Sequence, residues 1–393
     1  MSTPVFLLGG ARTPMTEYVG ALKDVSALEL GAIAARAALA RTGVAADQID
    51  HVVFGNVLQT SADAIYGARH IGLKAGVPVD VPALTVNRLC GSGIQAAISG
   101  AQMIQLGEAE VVLTGGVESM SQAPHVIRGL RGGLRLGQGT LEDSLWEALT
   151  DTHCGCSMAV TAENCAAKYG VSRRAQDEYA LRSQQLAAAA WASGRLAEEV
   201  VPVDVRTRKG TEAVGRDDHM RPDTTLEGLA KLPPAFSKDG CVTAGNASGI
   251  VDGGAALVLA SAAAVERLGV TPLARLQGWA TTGVEPSLMG MGPAPATRRL
   301  LDRTGLTLAD IDLFEINEAF AAQYLAVEQE LGLTRERVNV NGGAIALGHP
   351  LGMTGTRLLL TLALELRRRG ARRGIAAACI GGGQGIAALV EAV

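Results

Sequence analysis

The chain has 393 residues, 48% of them apolar and 19% charged, with a net charge of −4. That is too hydrophobic for a disordered protein, and with no Lys/Arg block the electrostatic footprint of nucleic-acid or membrane-surface binding is missing. Aromatics at 3% and 49 glycines favour helices packed on strands through small side chains, an α/β class, over an aromatic-cored sandwich. No stretch approaches the roughly 18 consecutive apolar residues of a membrane span, and the start MSTPVFLLGGARTP lacks the regions of a signal peptide. The expectation is a cytoplasmic protein. Six cysteines are too sparse for a disulfide scaffold, so each is judged as a free thiol.

In chain order, Val5 to Leu8 reads as a strand. Ser26 and Glu29 make a capping box ahead of an Ala/Leu-rich run that stops at Gly43, which predicts a helix over residues 27 to 42. His51 to Val57 and Ala83 to Val86 read as strands, Ser92 to Leu106 as a helix stopped by Gly107, and Val111 to Thr114 as a further strand. Strand and helix alternate with short connections, the pattern of a sheet covered on both faces. Landmarks of this stretch recur near the C-terminus at one offset: Arg41-Thr42-Gly43, Ile49-Asp50 and Gly93 return as Arg303-Thr304-Gly305, Ile311-Asp312 and Gly355. Ser92 falls on Thr354, and Thr114-Gly115-Gly116 resembles Ile380-Gly381-Gly382 after a small insertion. Two duplicated α/β halves follow. Residues 121 to 249 differ, with scattered charge, Pro202, Pro222, Pro233 and Pro234, and polar Gly-containing stretches, and read as an inserted loop-rich domain with helices at Thr161 to Tyr169 and Arg173 to Ser193. The expected division is 1–120 with 250–271, 121–249, and 272–393.

Several positions combine reactive side chains with turns. Cys90 lies in Asn87-Arg88-Leu89-Cys90-Gly91-Ser92-Gly93, at a Gly-flanked strand-to-helix turn where unpaired N–H groups are expected to lower a thiol's pKa. Gly91-x-Gly93-x-x-Ala96 also fits a dinucleotide fingerprint, but that fold needs an acidic residue ending the next strand. Glu110 precedes that strand, and Glu118 lies beyond its glycine pair. His349 sits in the small-residue loop Asn341 to Gly352, where Pro350 holds it extended, a candidate base. Cys379 precedes Ile380-Gly381-Gly382-Gly383, glycines that let backbone N–H groups face a ligand. Asn317, in Asn317-Glu318-Ala319-Phe320, is either a helix N-cap, a site residue, or both, and Ser248 in Gly245 to Gly249 is structural or functional. His153-Cys154-x-Cys156 is a metal fragment without further ligands at sensible spacing.

Taken together and in this order, Asn87 to Gly93, Gly245 to Gly249, Asn317 to Phe320, Gly348 to Gly352 and Cys379 to Gly385 resemble the signature segments of the thiolase family, across nearly the whole chain. The likeness is greatest to the family's acyltransferase branch, through Met120 to Pro124, Leu141 to Trp146 and Asn339 to Leu351. The resemblance implies a five-layered αβαβα fold and reversible CoA-dependent thiolysis of a 3-ketoacyl-CoA. Cys90 would be the acylated nucleophile, His349 its base and Cys379 the acid that protonates the departing enolate. One oxyanion site would be made by His349 with a water on Asn317, the other by the N–H groups of Cys90 and Gly381. CoA would be a substrate, with no metal and no permanent cofactor, placed by Ser248 and Arg221, with Phe236 and Met158 near the thioester. The family is dimeric or tetrameric, and Arg128 to Gln138 resembles its tetramer-forming loop, so a homotetramer is expected. The chain departs from the family's biosynthetic pattern at Ser157, where His is common, at Ala159 and at Met353-Thr354, which leaves room for a longer acyl chain. A decarboxylating ketoacyl synthase would lack Cys379, and a noncatalytic acyl-CoA binder would have lost the reactive residues that are all present here.

Overall fold

A computed structural model describes residues 3–393. The first half runs β1 (Val5–Arg12), α1 (Ala27–Thr42), β2 (His51–Asn56), α2 (Gly67–Lys74), β3 (Ala83–Val86), α3 (Ser92–Leu106) and β4 (Val111–Glu118). The intervening segment holds α4 (Met158–Tyr169), α5 (Arg173–Ala192) and the hairpin β5 (Val203–Thr207) with β6 (Gly210–Val214). The chain then returns through β7 (Val251–Ser261) and α6 (Ala262–Leu268). The second half follows as β8 (Ala274–Gly283), α7 (Pro293–Thr304), β9 (Leu313–Ile316), α8 (Ala321–Leu331), α9 (Leu351–Arg369), β10 (Arg373–Ile380) and β11 (Gln384–Ala392).

The local rules behave as expected at several ends. Ser26 Oγ accepts the N–H of Glu29, and Gly43 ends α1 at φ 69, so an αL glycine stops the helix where the sequence places it. α3 and β3 keep their predicted bounds. β1 and β4 run longer than predicted, because both cross glycine pairs that read as strand ends but lie inside the sheet against β7.

Along the sheet the strand order is β9-β10-β11-β8-β1-β7-β4-β2-β3, with the two-residue strand Thr16–Glu17 pairing β7. The order is a palindrome of equivalent strands, β8-β11-β10-β9 on one side matching β1-β7-β4-β2 on the other. The halves meet at the antiparallel pair β1–β8. Helices α3 and α9 pack against each other between the two half-sheets, α1 with α2 and α7 with α8 covering the outer faces, which gives five layers. At the α3–α9 crossing Gly93 faces the backbone of Gly355 and Thr356, and Gly355 faces that of Gly93 and Ile94. Each helix thus brings to the crossing the glycine that duplication gave it. The glycine pair Gly115-Gly116 is not equivalent to Gly381-Gly382, however. The former lies inside β4, the latter past the end of β10.

Candidate active site

Cys90 sits between β3 and α3 on a turn built by strain and hydrogen bonds. Leu89 adopts φ 45, in the left-handed region that a leucine avoids. It is held there because its N–H donates to Asn87 Oδ1 at 2.9 Å, and Ser92 Oγ accepts from Arg88 N at 2.8 Å while donating to Leu89 O at 2.7 Å. The thiol is thereby presented just before the first residue of α3, whose N-cap is Gly91. Gly91 packs against Ile380, so the end of β10 touches the turn after β3 across the halves, and the nearby Gly381 N–H favours the Cys90 thiolate. Gly381 also packs against Leu89 and Met158. Burial nevertheless pushes the Cys90 thiol up to about 11, above its ordinary value, while the N–H groups of Gly381 and Cys90 pull the other way. The lowered pKa expected from the helix start is therefore not what the site provides in its ligand-free form. Desolvation outweighs two N–H groups and a short stretch of dipole.

His349 is buried between a four-residue helix, Ala344–Leu347, and α9. Its Nδ1 lies 2.6 Å from Thr354 Oγ1, whose hydroxyl donates to Pro350 O at 3.0 Å, so Nδ1 carries the proton and donates. Nε2 is left as the acceptor, and Asn317 Nδ2 donates to it at 3.2 Å. Burial, then the charge of Arg357, lowers the imidazole pKa to about 3, so the ring is neutral. Asn317 Oδ1 is buried with no partner of its own. Asn317 is not an N-cap. α8 begins at Ala321 with Phe320 in the cap position, which leaves the Asn317 amide free for the histidine.

Cys379 is the penultimate residue of β10 and is buried with Met289, Ala319, Met158 and Phe320 around it. Its thiol lies well above its ordinary pKa, through burial first and then through the nearby Cys90 and Cys165. The segment Gly245 to Gly249 stitches the parts together. Ala321 N donates to Asn246 O at 2.8 Å, Ser248 N to Ala319 O at 3.0 Å, and His349 N to Gly249 O at 2.9 Å.

A cavity of about 490 Å³ reaches His349, while Cys90, Asn317 and Cys379 lie outside its lining. His349, Ser248, Phe236 and Met158 line it, with Leu145, Leu149, Leu351 and Met120 forming its apolar wall. Arg221 is not among the lining residues. Its guanidinium folds back onto the carbonyls of Asp218 and His219 at 2.8 and 2.9 Å and pairs with Glu17, which does line the cavity. Among the described residues no three His, Cys, Asp or Glu side chains converge as a metal site, His153-Cys154-x-Cys156 included.

Three positions escaped the sequence reading. Glu118, taken there only as lying beyond a glycine pair, is the last residue of β4. It is wholly buried and accepts from Leu58 N, Val57 N, Gly352 N and Asn56 Nδ2 at 2.8 to 3.2 Å. It ties the loop after β2 to the start of α9, two residues past the His349-Pro350 pair, and burial raises its pKa to about 7. The signal was a carboxylate closing an otherwise apolar strand. Glu318 plays the same part in the second half, accepting from Tyr179, Ser183, Asn339 and Ile345. His219 lines the cavity with its ring over Gly249 and Nδ1 3.0 Å from Glu17 Oε1, and nothing in the sequence pattern marks it.

Fold and paired thiols define the class of protein: an acyltransferase with two like α/β halves and its reactive groups at their junction. Comparison with known proteins makes the assignment specific. The thiolase N-terminal domain matches residues 5–263 and the thiolase C-terminal domain residues 270–392, and the chain belongs to the thiolase family. Mitochondrial 3-ketoacyl-CoA thiolase of Homo sapiens is 54% identical over 388 residues, 98% of each chain. An acetyl-CoA acetyltransferase of Pseudomonas aeruginosa is 51% identical over 390 residues, again 98% of each. The crystal structure of the human mitochondrial 3-ketoacyl-CoA thiolase superposes with a TM-score of 0.98 at 53% identity, covering 100% of this chain and 99% of the other. The structure of that enzyme in complex with CoA superposes at 0.97 with 52% identity, covering 100% and 98%.

Proposed function

We propose that this thiolase cleaves 3-ketoacyl-CoA with free CoA, and runs the reverse condensation of two acetyl-CoA, through an acyl-Cys90 intermediate. The observation that carries the reading is the meeting of the two reactive turns, Gly91 packing against Ile380 and Gly381 against Leu89. Cys90 gives its proton to His349 Nε2 as its sulfur attacks the 3-keto carbon. The resulting N–H of His349, beside Asn317, then faces the developing oxyanion. Collapse breaks the bond between C2 and C3, and the acetyl-CoA enolate takes a proton from Cys379. Cys379 then removes the thiol proton of the incoming CoA, whose sulfur attacks the acyl-Cys90 carbonyl. That oxyanion is met by the N–H groups of Cys90 and Gly381, and Cys90 leaves as the shortened acyl-CoA forms. Asn317 Oδ1, buried and unpartnered, is suited to accept from a water in the first oxyanion site.

Ser248, Phe236 and Met158 contact the CoA arm in this reading, which their position in the cavity lining supports. Arg221 is the adenine contact in this reading and must leave its pairing with Glu17 to act so. The leucine-lined wall, with the small Ser157 in it, suits acyl chains longer than acetoacetyl. A homotetramer fits two exposed apolar areas: Leu84 on edge strand β3 with Ile65 and Tyr66 beside it, and the stretch holding Leu130, Leu134 and Leu136.

The experiment mixes the protein with acetoacetyl-CoA or longer 3-ketoacyl-CoA and free CoA, following loss of the 3-keto thioester and searching intact masses for acyl adducts. Turnover of short and long chains with an adduct on Cys90, both lost in Cys90→Ser, is expected. Strict C4 activity would end the broad chain-length reading, and CoA binding without any turnover would end the catalytic one.

A further inference from the structure

The segment Cys154-Gly155-Cys156 takes no part in the site described above, and neither cysteine lines its cavity. Thr150–Asp151 pairs antiparallel with Cys156–Ser157, Thr150 opposite Ser157 and Asp151 opposite Cys156, so residues 152 to 155 close a short hairpin. Gly155 adopts φ 68, the left-handed conformation that glycine supplies without strain, and turns the chain back on itself between the two cysteines. As a result the Cys156 Sγ lies 3.5 Å from the Cys154 carbonyl oxygen, and the two side chains share one tight turn. Both cysteines are partly exposed and neither is in a disulfide. A thiol pair held on one tight turn, partly open to solvent and in no metal-binding group among the described residues, has one chemistry in common with other such pairs: two-electron oxidation to a disulfide.

We propose that Cys154 and Cys156 form a reversible redox site that closes to an intramolecular disulfide by exchange with a low-molecular-weight disulfide. The Cys154 thiolate attacks one sulfur of the small disulfide, forming a mixed disulfide and releasing one small thiolate. The Cys156 thiolate then attacks the Cys154 sulfur, forming the internal bond and releasing the second. Two protein thiols lose two electrons and two protons, and the small disulfide becomes two small thiols. Burial first, with Cys156 and Asp151 alongside, holds the Cys154 thiol above its ordinary pKa, so the first attack is the slow step at neutral pH. The second is intramolecular and fast. A ring closed across a single residue is strained and therefore easily reduced, which makes the site a sensor of conditions rather than a permanent staple. The hairpin is well placed to be read out. Ser157 and Met158, directly after Cys156, line the cavity, and Met158 N donates to Leu149 O at 2.9 Å within its wall.

The test uses the full chain carrying Cys90→Ser and Cys379→Ser, so that the catalytic thiols do not contribute and the outcome is independent of the proposed reaction. It is equilibrated with oxidised and reduced glutathione, acid-quenched and mapped by peptide mass. A Cys154–Cys156 disulfide, two hydrogens lighter than the dithiol and removed by excess reduced glutathione, is expected. With Cys156→Ser added, the glutathione adduct on Cys154 should persist at least roughly tenfold longer. Adducts that remain separate on the two cysteines, or an adduct on Cys154 equally long-lived with and without Cys156, would overturn the proposal.

Discussion

The reactive residues are set up in their neutral forms. With the Cys90 thiol pushed up to about 11 and the His349 imidazole lowered to about 3, the neutral pair lies far below the thiolate–imidazolium pair in the empty site. The donors of Gly381 and Asn317 are therefore matched to charge that develops during reaction, which is the condition for selective stabilisation of the transition state. A consequence is readable in the ligand-free enzyme. A thiol whose pKa is raised gains thiolate only as pH climbs, and a histidine whose pKa is lowered adds no second step near its ordinary value. Alkylation of Cys90 by iodoacetamide, followed by peptide mass, should rise continuously from pH 6 to 10 without a plateau, towards the value of about 11. A plateau at neutral pH would mean that the ion pair already exists, and that desolvation does not dominate the site.

Among the elements, the α3–α9 crossing does the positioning. It fixes the start of α3, two residues after Cys90, against the start of α9, two residues after His349. Its closeness rests on Gly93 and Gly355, where a Cβ would run into the facing backbone rather than into a flexible side chain. Gly355→Ala should therefore destabilise the protein by about 1–3 kcal/mol or more and reduce turnover, because the helices must separate. Gly215→Ala, at an exposed glycine with no positive φ where a Cβ would meet only Pro202 at ordinary contact distance, should leave both unchanged within about 0.5 kcal/mol. Denaturant unfolding with parallel activity assays separates the two cases. The two glycines were marked in sequence by the offset of the duplication, but the crossing they make was not. The clamps of Glu118 and Glu318 were not, because which backbone N–H groups meet a buried carboxylate depends on loops far apart in the chain. Periodicity also stopped β1 and β4 too early, since a glycine pair reads as a turn until a neighbouring strand is known to press against it.

At the scale of the whole molecule, the duplication is what made the fold readable: a repeated landmark set predicts two halves, and two halves with reactive turns at equivalent ends predict a site between them. Cys90, Asn317, His349 and Cys379 were each singled out by their own turn or loop, and their roles came from the family resemblance. Arg221 shows the limit, since a residue chosen by resemblance is held by Glu17, a partner that no motif names. The surface carries the remaining question, how copies associate. Leu134 and Leu136 are 56% and 108% exposed within a glycine-rich stretch, a cost to a monomer that burial in an assembly removes. The edge strand β3 offers a second, separate area with Leu84 at 40% exposure beside unpaired backbone groups. In the proposed homotetramer these two areas would supply the two kinds of contact, and each would fail separately. Replacing Leu134 and Leu136 by Ser is expected to halve the assembly from tetramer to dimer in analytical ultracentrifugation with Cys90-dependent turnover retained, because neither residue lines the cavity. A substituted protein that remains tetrameric would place the tetramer contact elsewhere, and one that sediments as a monomer would make this stretch the primary interface.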